Sequence, residues 1–308
     1  MAINKAMKVV LKALSYGDIE VESSRQFANL KSLDPMKLFY KKYNGKIYNE
    51  GHEIPVRFYM PDEKSLETGG KGKPVLLFFH GGGWVTESVE NYDRVCARMS
   101  QDTDHVVVSV EYRLAPEHKF PTGLQDCYAV AKALYTRQIM EIDPGRITLA
   151  GDSAGGNLCA AVSLMARDRG EFAPARQILI YPALNNDYTD QSPYISVKEN
   201  GRSYLLTAKK MEQYLELYQG SPVDRRNPYF APLCEKDLSR QPRTLILTAE
   251  YDPLRDEGEE YGKRLEEAGN QVSVYQVKDA LHGFFALGIK YYHVQESFQV
   301  INRFLKEE

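Results

Sequence analysis

The sequence predicts an α/β fold in which a mostly parallel sheet is covered on both faces by helices. Three observations predict it. Short, mostly apolar runs recur at residues 75–79, 105–110, 146–150, 177–180, 244–247 and 272–277, and strands buried on both faces read this way. Helical stretches lie between them, at about 88–101, 121–140, 156–168, 254–268 and 293–307, and strand–helix alternation selects a parallel sheet with helices on each side. One apolar run then leads through Gly151-Asp152-Ser153-Ala154-Gly155 into the small-residue stretch 156–162. Strand, Gly-x-Ser-x-Gly turn and helix form a single unit. In such sheets ligands sit beyond the carboxyl ends of the strands.

Taken in order, residues 1–44 read as mostly helical. Met7, Val10, Leu11 and Leu14 follow a helical period, and Asp34-Pro35 opens another short helix. Residues 46–60 alternate around Asn49-Glu50-Gly51-His52, which predicts two strands joined by a tight turn. Residues 61–72 are charged and glycine-rich, a surface loop. After the run ending near Tyr181, roughly sixty residues pass before the next one, with a single helical stretch at 208–218. That is too long for a simple crossover, so the interval reads as an inserted cap over the strand ends. The predicted organisation is an N-terminal helical part of the cap at 1–45, an inserted cap segment at 185–230, and the α/β domain at 46–184 and 231–308.

Composition narrows the functional classes. The formal charge is −3 and no strongly basic block occurs, which argues against a nucleic-acid partner. Residues 1–14 are too punctuated by lysine for a signal sequence, and no run of about 18 apolar residues exists to span a membrane. Cys96, Cys127, Cys159 and Cys234 show no CxxC spacing and read as thiols of a reducing, cytoplasmic compartment. The six histidines include no HExxH pair. Neither a metal nor a cofactor is expected.

The serine turn is the candidate reactive centre. Gly151 and Gly155 flank Ser153 because a Cβ at either place would strike the opposite arm of the turn. A serine hydroxyl needs a base to take its proton, and the base needs an acid to orient it. Where a Gly-x-Ser-x-Gly turn carries the nucleophile, acid and base follow it in the chain. Asp252, after the run at 244–247, is the candidate acid, and His282, after the last run, the candidate base. Asp252 also reads as a helix N-cap with Pro253 at the first helical position. Glu250, Asp256 and Asp279 are rival acids, and His293 is the rival base. His80-Gly81-Gly82-Gly83-Trp84 directly follows the run at 75–79 and offers close backbone N–H groups to a developing oxyanion. Gly81, Gly82 and Ala154 are the expected donors, with His80 supporting the loop and Asp152 in a structural role. The loop lacks the Lys-Ser/Thr of a nucleotide-binding P-loop.

These motifs together resemble the hormone-sensitive-lipase family of α/β-hydrolases, in particular bacterial carboxylesterases with a GDSAG turn. The matching stretches are HGGGW (80–84), EYRLAPEHKFP (111–121), GDSAGGNL (151–158), DPLRDEG (252–258) and HGF (282–284). The resemblance implies an α/β-hydrolase fold with a helical cap. It implies a Ser153–His282–Asp252 triad and an HGGG oxyanion hole; hydrolysis of short- to medium-chain acyl esters is expected because no membrane-binding surface is evident in the sequence, and no cofactor is expected. The resemblance makes Arg113 and Glu117 a structural brace, the partner a small-molecule ester, and a homodimer admissible. Trp84, Tyr181, Leu184, Tyr188 and Phe284 are expected as pocket walls. The same site would serve an amidase or deacetylase. A binding-only relative, such as the plant gibberellin receptor, lacks the catalytic histidine, whereas Ser153, Asp252 and His282 all stand in this chain.

Overall fold

The computed structural model describes residues 17–29, 34–287 and 292–307. The predicted helical period at Met7 to Leu14 lies outside them. The described chain opens with helix α1 (Val21–Asn29) and a 3-10 turn at Pro35–Phe39, capped by Asp34, which accepts from the Met36 N–H. Strands β1 (Lys42–Asn49) and β2 (His52–Tyr59) form the expected hairpin. Glu50 and Gly51 both take positive φ, 48° and 81°, as a two-residue turn between twisted strands requires. Pairing begins at Lys42, ahead of the expected boundary at 46. The stretch 61–72 is not loop throughout. Asp62 caps the Ser65 N–H and starts a short helix α2 (Glu63–Glu67).

The remaining elements alternate as expected: β3 (Val75–Phe79), α3 (Asp93–Thr103), β4 (Val106–Val110), α4 (Thr122–Tyr135), β5 (Ile147–Asp152), α5 (Ala154–Arg169) and β6 (Arg176–Ile180). The insertion carries α6 (Ile195–Asn200), which the sequence pattern did not reveal, and α7 (Ala208–Tyr218). The chain then runs through β7 (Arg243–Tyr251), α8 (Arg255–Glu267), β8 (Val272–Leu281) and α9 (Tyr292–Lys306). The eight strands lie in the order β1-β2-β4-β3-β5-β6-β7-β8. β2 runs antiparallel to both its neighbours, and from β4 to β8 every pairing is parallel.

Successive side chains of one strand feed two cores. Val75, Leu77 and Phe79 pack with α4, α5 and α8 on one face, while Leu76 and Phe78 pack with α3 and α9 on the other. This period-two split explains why β3, β4 and β5 are buried at every position. α5 is buried from Ala154 to Ala166, along nearly its whole length. Glycines bring its first turn onto the sheet: a Cβ on Gly155 would lie 1.9 Å from the Phe79 carbonyl oxygen. β7 and β8 both extend past their apolar runs, to Tyr251 and Leu281. Ladder hydrogen bonds continue where the side chains turn polar, and they carry the backbone up to Asp252 and His282.

Candidate active site

The centre of the site is the turn between β5 and α5. Ser153 sits there with φ 54° and ψ −117°, a region that a side-chain-bearing residue occupies only under constraint. The constraint is visible in the backbone: Ser153 N–H donates to Ile180 O at 2.8 Å, and Ala183 N–H donates to Ser153 O at 3.2 Å. Asn157 holds the same loop, its side-chain NH2 donating to Ala183 O and Phe230 O.

The ends of β8 and β7 bring the two partners. His282 Nε2 lies 2.9 Å from Ser153 Oγ, and His282 Nδ1 lies 2.7 Å from Asp252 Oδ2. Asp252 is fully buried, and its other oxygen accepts the Leu254 N–H at 2.9 Å. The expected N-cap role of Asp252 is corrected: α8 starts at Arg255 with Leu254 at its N-cap and no side-chain cap bond, and Asp252 holds the turn ahead of it while its second oxygen faces the imidazole. A carboxylate only accepts, so Nδ1 carries the hydrogen and Nε2 is left to accept from the serine. The Tyr181 ring packs against the imidazole with centroids 4.8 Å apart. The rivals serve elsewhere. Glu250 accepts the Asp279 N–H, Asp256 accepts the Ser196 N–H in the first turn of α8, and His293 packs edge-on against Phe284.

The glycine loop after β3 is pinned by Asp152. Its buried carboxyl accepts from Gly81 N–H (2.9 Å), Tyr92 O–H (2.9 Å) and Tyr181 O–H (3.2 Å). Burial raises its pKa to about 6, against the pull of these donors. His80 lies beneath the loop, fully buried, with Nδ1 2.8 Å from Gly81 O and its ring stacked on Tyr112. Burial lowers its pKa to about 4, so it is neutral at pH 7. The expectation that Gly81 is an oxyanion donor is corrected here, since its N–H is already spent on Asp152. Among the described residues, no intramolecular acceptor takes the N–H of Gly82, Gly83 or Ala154.

A cavity of ≈ 190 Å³ opens over Ser153 and His282, with Gly82, Gly83 and Ala154 in its wall. Of the five expected pocket walls only Trp84 lines it, and its indole points into the insertion, stacked on Tyr218 at 4.6 Å. The other four are corrected. Tyr181 and Phe284 pack with each other behind His282, Leu184 is core, and Tyr188 hydrogen-bonds Glu257. The wall that sequence reasoning missed comes from the insertion: Leu206, Met211 and Tyr214. The brace is as expected: Arg113 makes a bidentate pair with fully buried Asp126, and Arg25 of α1 grips Glu117 together with the Val85 and Ala115 carbonyls.

A mostly parallel sheet of this order, with hydroxyl, imidazole and carboxylate aligned at the carboxyl ends of its parallel strands, defines an α/β-hydrolase. Comparison with known proteins is specific. A family model described as "alpha/beta hydrolase fold" matches residues 76–286. The carboxylic ester hydrolase LipN of Mycobacterium tuberculosis is 38% identical over 242 residues, which cover 76% of this chain and 62% of LipN. An arylesterase of Saccharolobus solfataricus is 36% identical, covering 78% of this chain and 75% of its own. The solved structure of a hyperthermophilic esterase from Pyrobaculum calidifontis superposes with a TM-score of 0.87 at 36% identity, over 99% of this chain and 98% of that one. The chain belongs to the hormone-sensitive-lipase family of α/β-hydrolases and is a carboxylic ester hydrolase. No described helix is long and apolar enough to cross a membrane.

Proposed function

We propose that the protein hydrolyses short- to medium-chain acyl esters through a covalent acyl-enzyme. Ser153 Oγ attacks the ester carbonyl as His282 Nε2 takes its proton, and Asp252 holds the imidazole in the right tautomer and stabilises the imidazolium. The oxyanion rests on the N–H groups of Gly82, Gly83 and Ala154, the last at the positive end of α5. Collapse expels the alcohol, protonated by His282. Water activated by the same imidazole then attacks the acyl-enzyme, and the serine is restored. The observation that carries this reading is the unbroken line from Ser153 through His282 to Asp252, at 2.9 and 2.7 Å. The small cavity supports the short-chain preference. The inserted segment 185–230, with the N-terminal helices, forms the cap in this reading. Buried, unpaired Cys96, Cys127 and Cys159 support a cytoplasmic setting.

The test is a p-nitrophenyl ester series from acetate to palmitate, run beside Ser153→Ala. Turnover should peak at short chains, and the variant should lose about four orders of magnitude or more in kcat while keeping its fold. A variant with wild-type turnover would refute the mechanism. A folded wild type inert on every chain length would turn attention to matched amides.

A further inference from the structure

One buried carboxyl near the site has no part in the mechanism above. Glu257, in the first turn of α8, is fully buried. Its Oε1 accepts three hydrogen bonds: Leu184 N–H at 2.7 Å, Asn185 N–H at 3.3 Å and Tyr188 O–H at 2.8 Å. All three donors lie where the insertion leaves β6. Its Oε2 is buried without a hydrogen-bond partner. The ionisable groups facing it are Asp252 from the turn ahead of α8, Tyr188 from the loop after β6, and Tyr194 just ahead of α6. None is a cation, and no described Lys or Arg pairs with it.

The donors connect outward in two directions. Tyr188 N–H donates to Glu212 of α7 at 2.6 Å, and α7 carries Met211 and Tyr214 of the cavity wall. Ala183, one residue before Leu184, lines the cavity and donates to Ser153 O. On its own side, Glu257 stands on the helix that begins at the Asp252 loop.

We propose that Glu257 is a positioning residue that latches the root of the insertion, residues 184–188, to the helix start beside Asp252. A neutral acid accepts these three bonds without setting a second buried charge beside the Asp252 carboxylate. The burial-driven rise of its pKa to about 8 agrees with that state. Latching fixes the distance between the insertion's wall and the reacting serine, so its loss weakens substrate binding more than chemistry.

The proposal rests on the ester-hydrolase reading, and its test keeps the two apart. Glu257→Gln keeps the oxygen acceptor and cannot ionise, whereas Glu257→Leu keeps the bulk and strands three donors. With p-nitrophenyl butyrate below pH 7, E257Q should stay within about twofold of wild-type kcat/KM, and E257L should raise KM about tenfold with a smaller change in kcat. If E257L fails to fold, Tyr188→Phe, which removes one donor, should raise KM by about two- to threefold. Thermal midpoints give a readout free of activity. A carboxyl whose folded pKa lies above its unfolded value stabilises fully below about pH 4.5, and that contribution is lost as pH rises to about 8. The wild-type midpoint should therefore fall relative to that of E257Q between pH 5 and 8 and hold level above. Parallel midpoints across that range, a KM unchanged in E257L or in Y188F, or E257Q as impaired as E257L would each overturn the latch. Wild type lacking ester turnover would instead overturn the reading beneath it.

Discussion

His80 and Asp152 grip the two sides of one glycine loop with opposite proton linkages. Burial lowers the His80 pKa to about 4, so the unfolded chain binds that proton more readily. The stability His80 contributes is present above about pH 6.5 and lost as pH falls through 4. Burial raises Asp152 to about 6, so its contribution is present below about pH 3.8 and lost as pH rises through 6. Between pH 4 and 6 the two slopes oppose each other in the wild type. His80→Gln should unmask the Asp152 slope. The difference in unfolding free energy between wild type and variant should grow by about 3 kcal/mol from pH 4 to 6.5. Urea titrations at pH 4.5, 5.5 and 6.5 measure it, and a pH-independent difference would show that His80 does not titrate as its burial requires. At this scale the hydrogen-bonded line of Ser153, His282 and Asp252 was legible because each sits at a strand end beside a motif. Gly81 was misread as a free donor, within a run of three glycines. Nothing in the local pattern says which N–H Asp152 will take, since Asp152 lies on another strand.

Elements that pack on their sequence neighbours were legible; those that fold back from afar were not. The β1–β2 hairpin was readable because its turn needs two residues of positive φ, and Glu50-Gly51 supplies them. The helix α7 was readable as a helix, but its functional face was not. Met211 and Tyr214 meet the glycine loop only because the insertion returns over the strand ends. The Tyr214 ring occupies the space that a Cβ on Gly83 would need, at 2.4 Å. It also stands, with Thr86 and Glu87, between the cavity over Ser153 and a second one of ≈ 670 Å³ against α1. Tyr214→Ala should join the two spaces. The preferred p-nitrophenyl ester should then lengthen by about two to four carbons, because each added methylene gains about 0.8 kcal/mol of burial where room exists. An optimum unchanged from wild type would place the acyl chain elsewhere.

Across the whole molecule, the sheet separates what holds the fold from what does the chemistry. The Ser153, Asp252 and His282 side chains all stand at one end of the sheet, and α9 closes the core on the face away from α5. The far end of α9 supports the other end of the strands: Phe304 is buried, with the Arg243 guanidinium 4.6 Å above its ring, and Arg243 opens β7 eight residues before Tyr251 closes it. Phe304→Ala removes a large buried side chain far from the reacting groups, at a cost of about 3–5 kcal/mol. That is a large share of a net stability of about 5–15 kcal/mol, so the midpoint of thermal unfolding should fall sharply. At 25 °C, where the variant is still folded, kcat/KM should stay within about twofold of wild type, because α9 reaches the triad only through strands that the other core also holds. Loss of kcat/KM in a variant shown to be fully folded would mean that the two cores are coupled through the sheet, and that the site depends on tension from both faces.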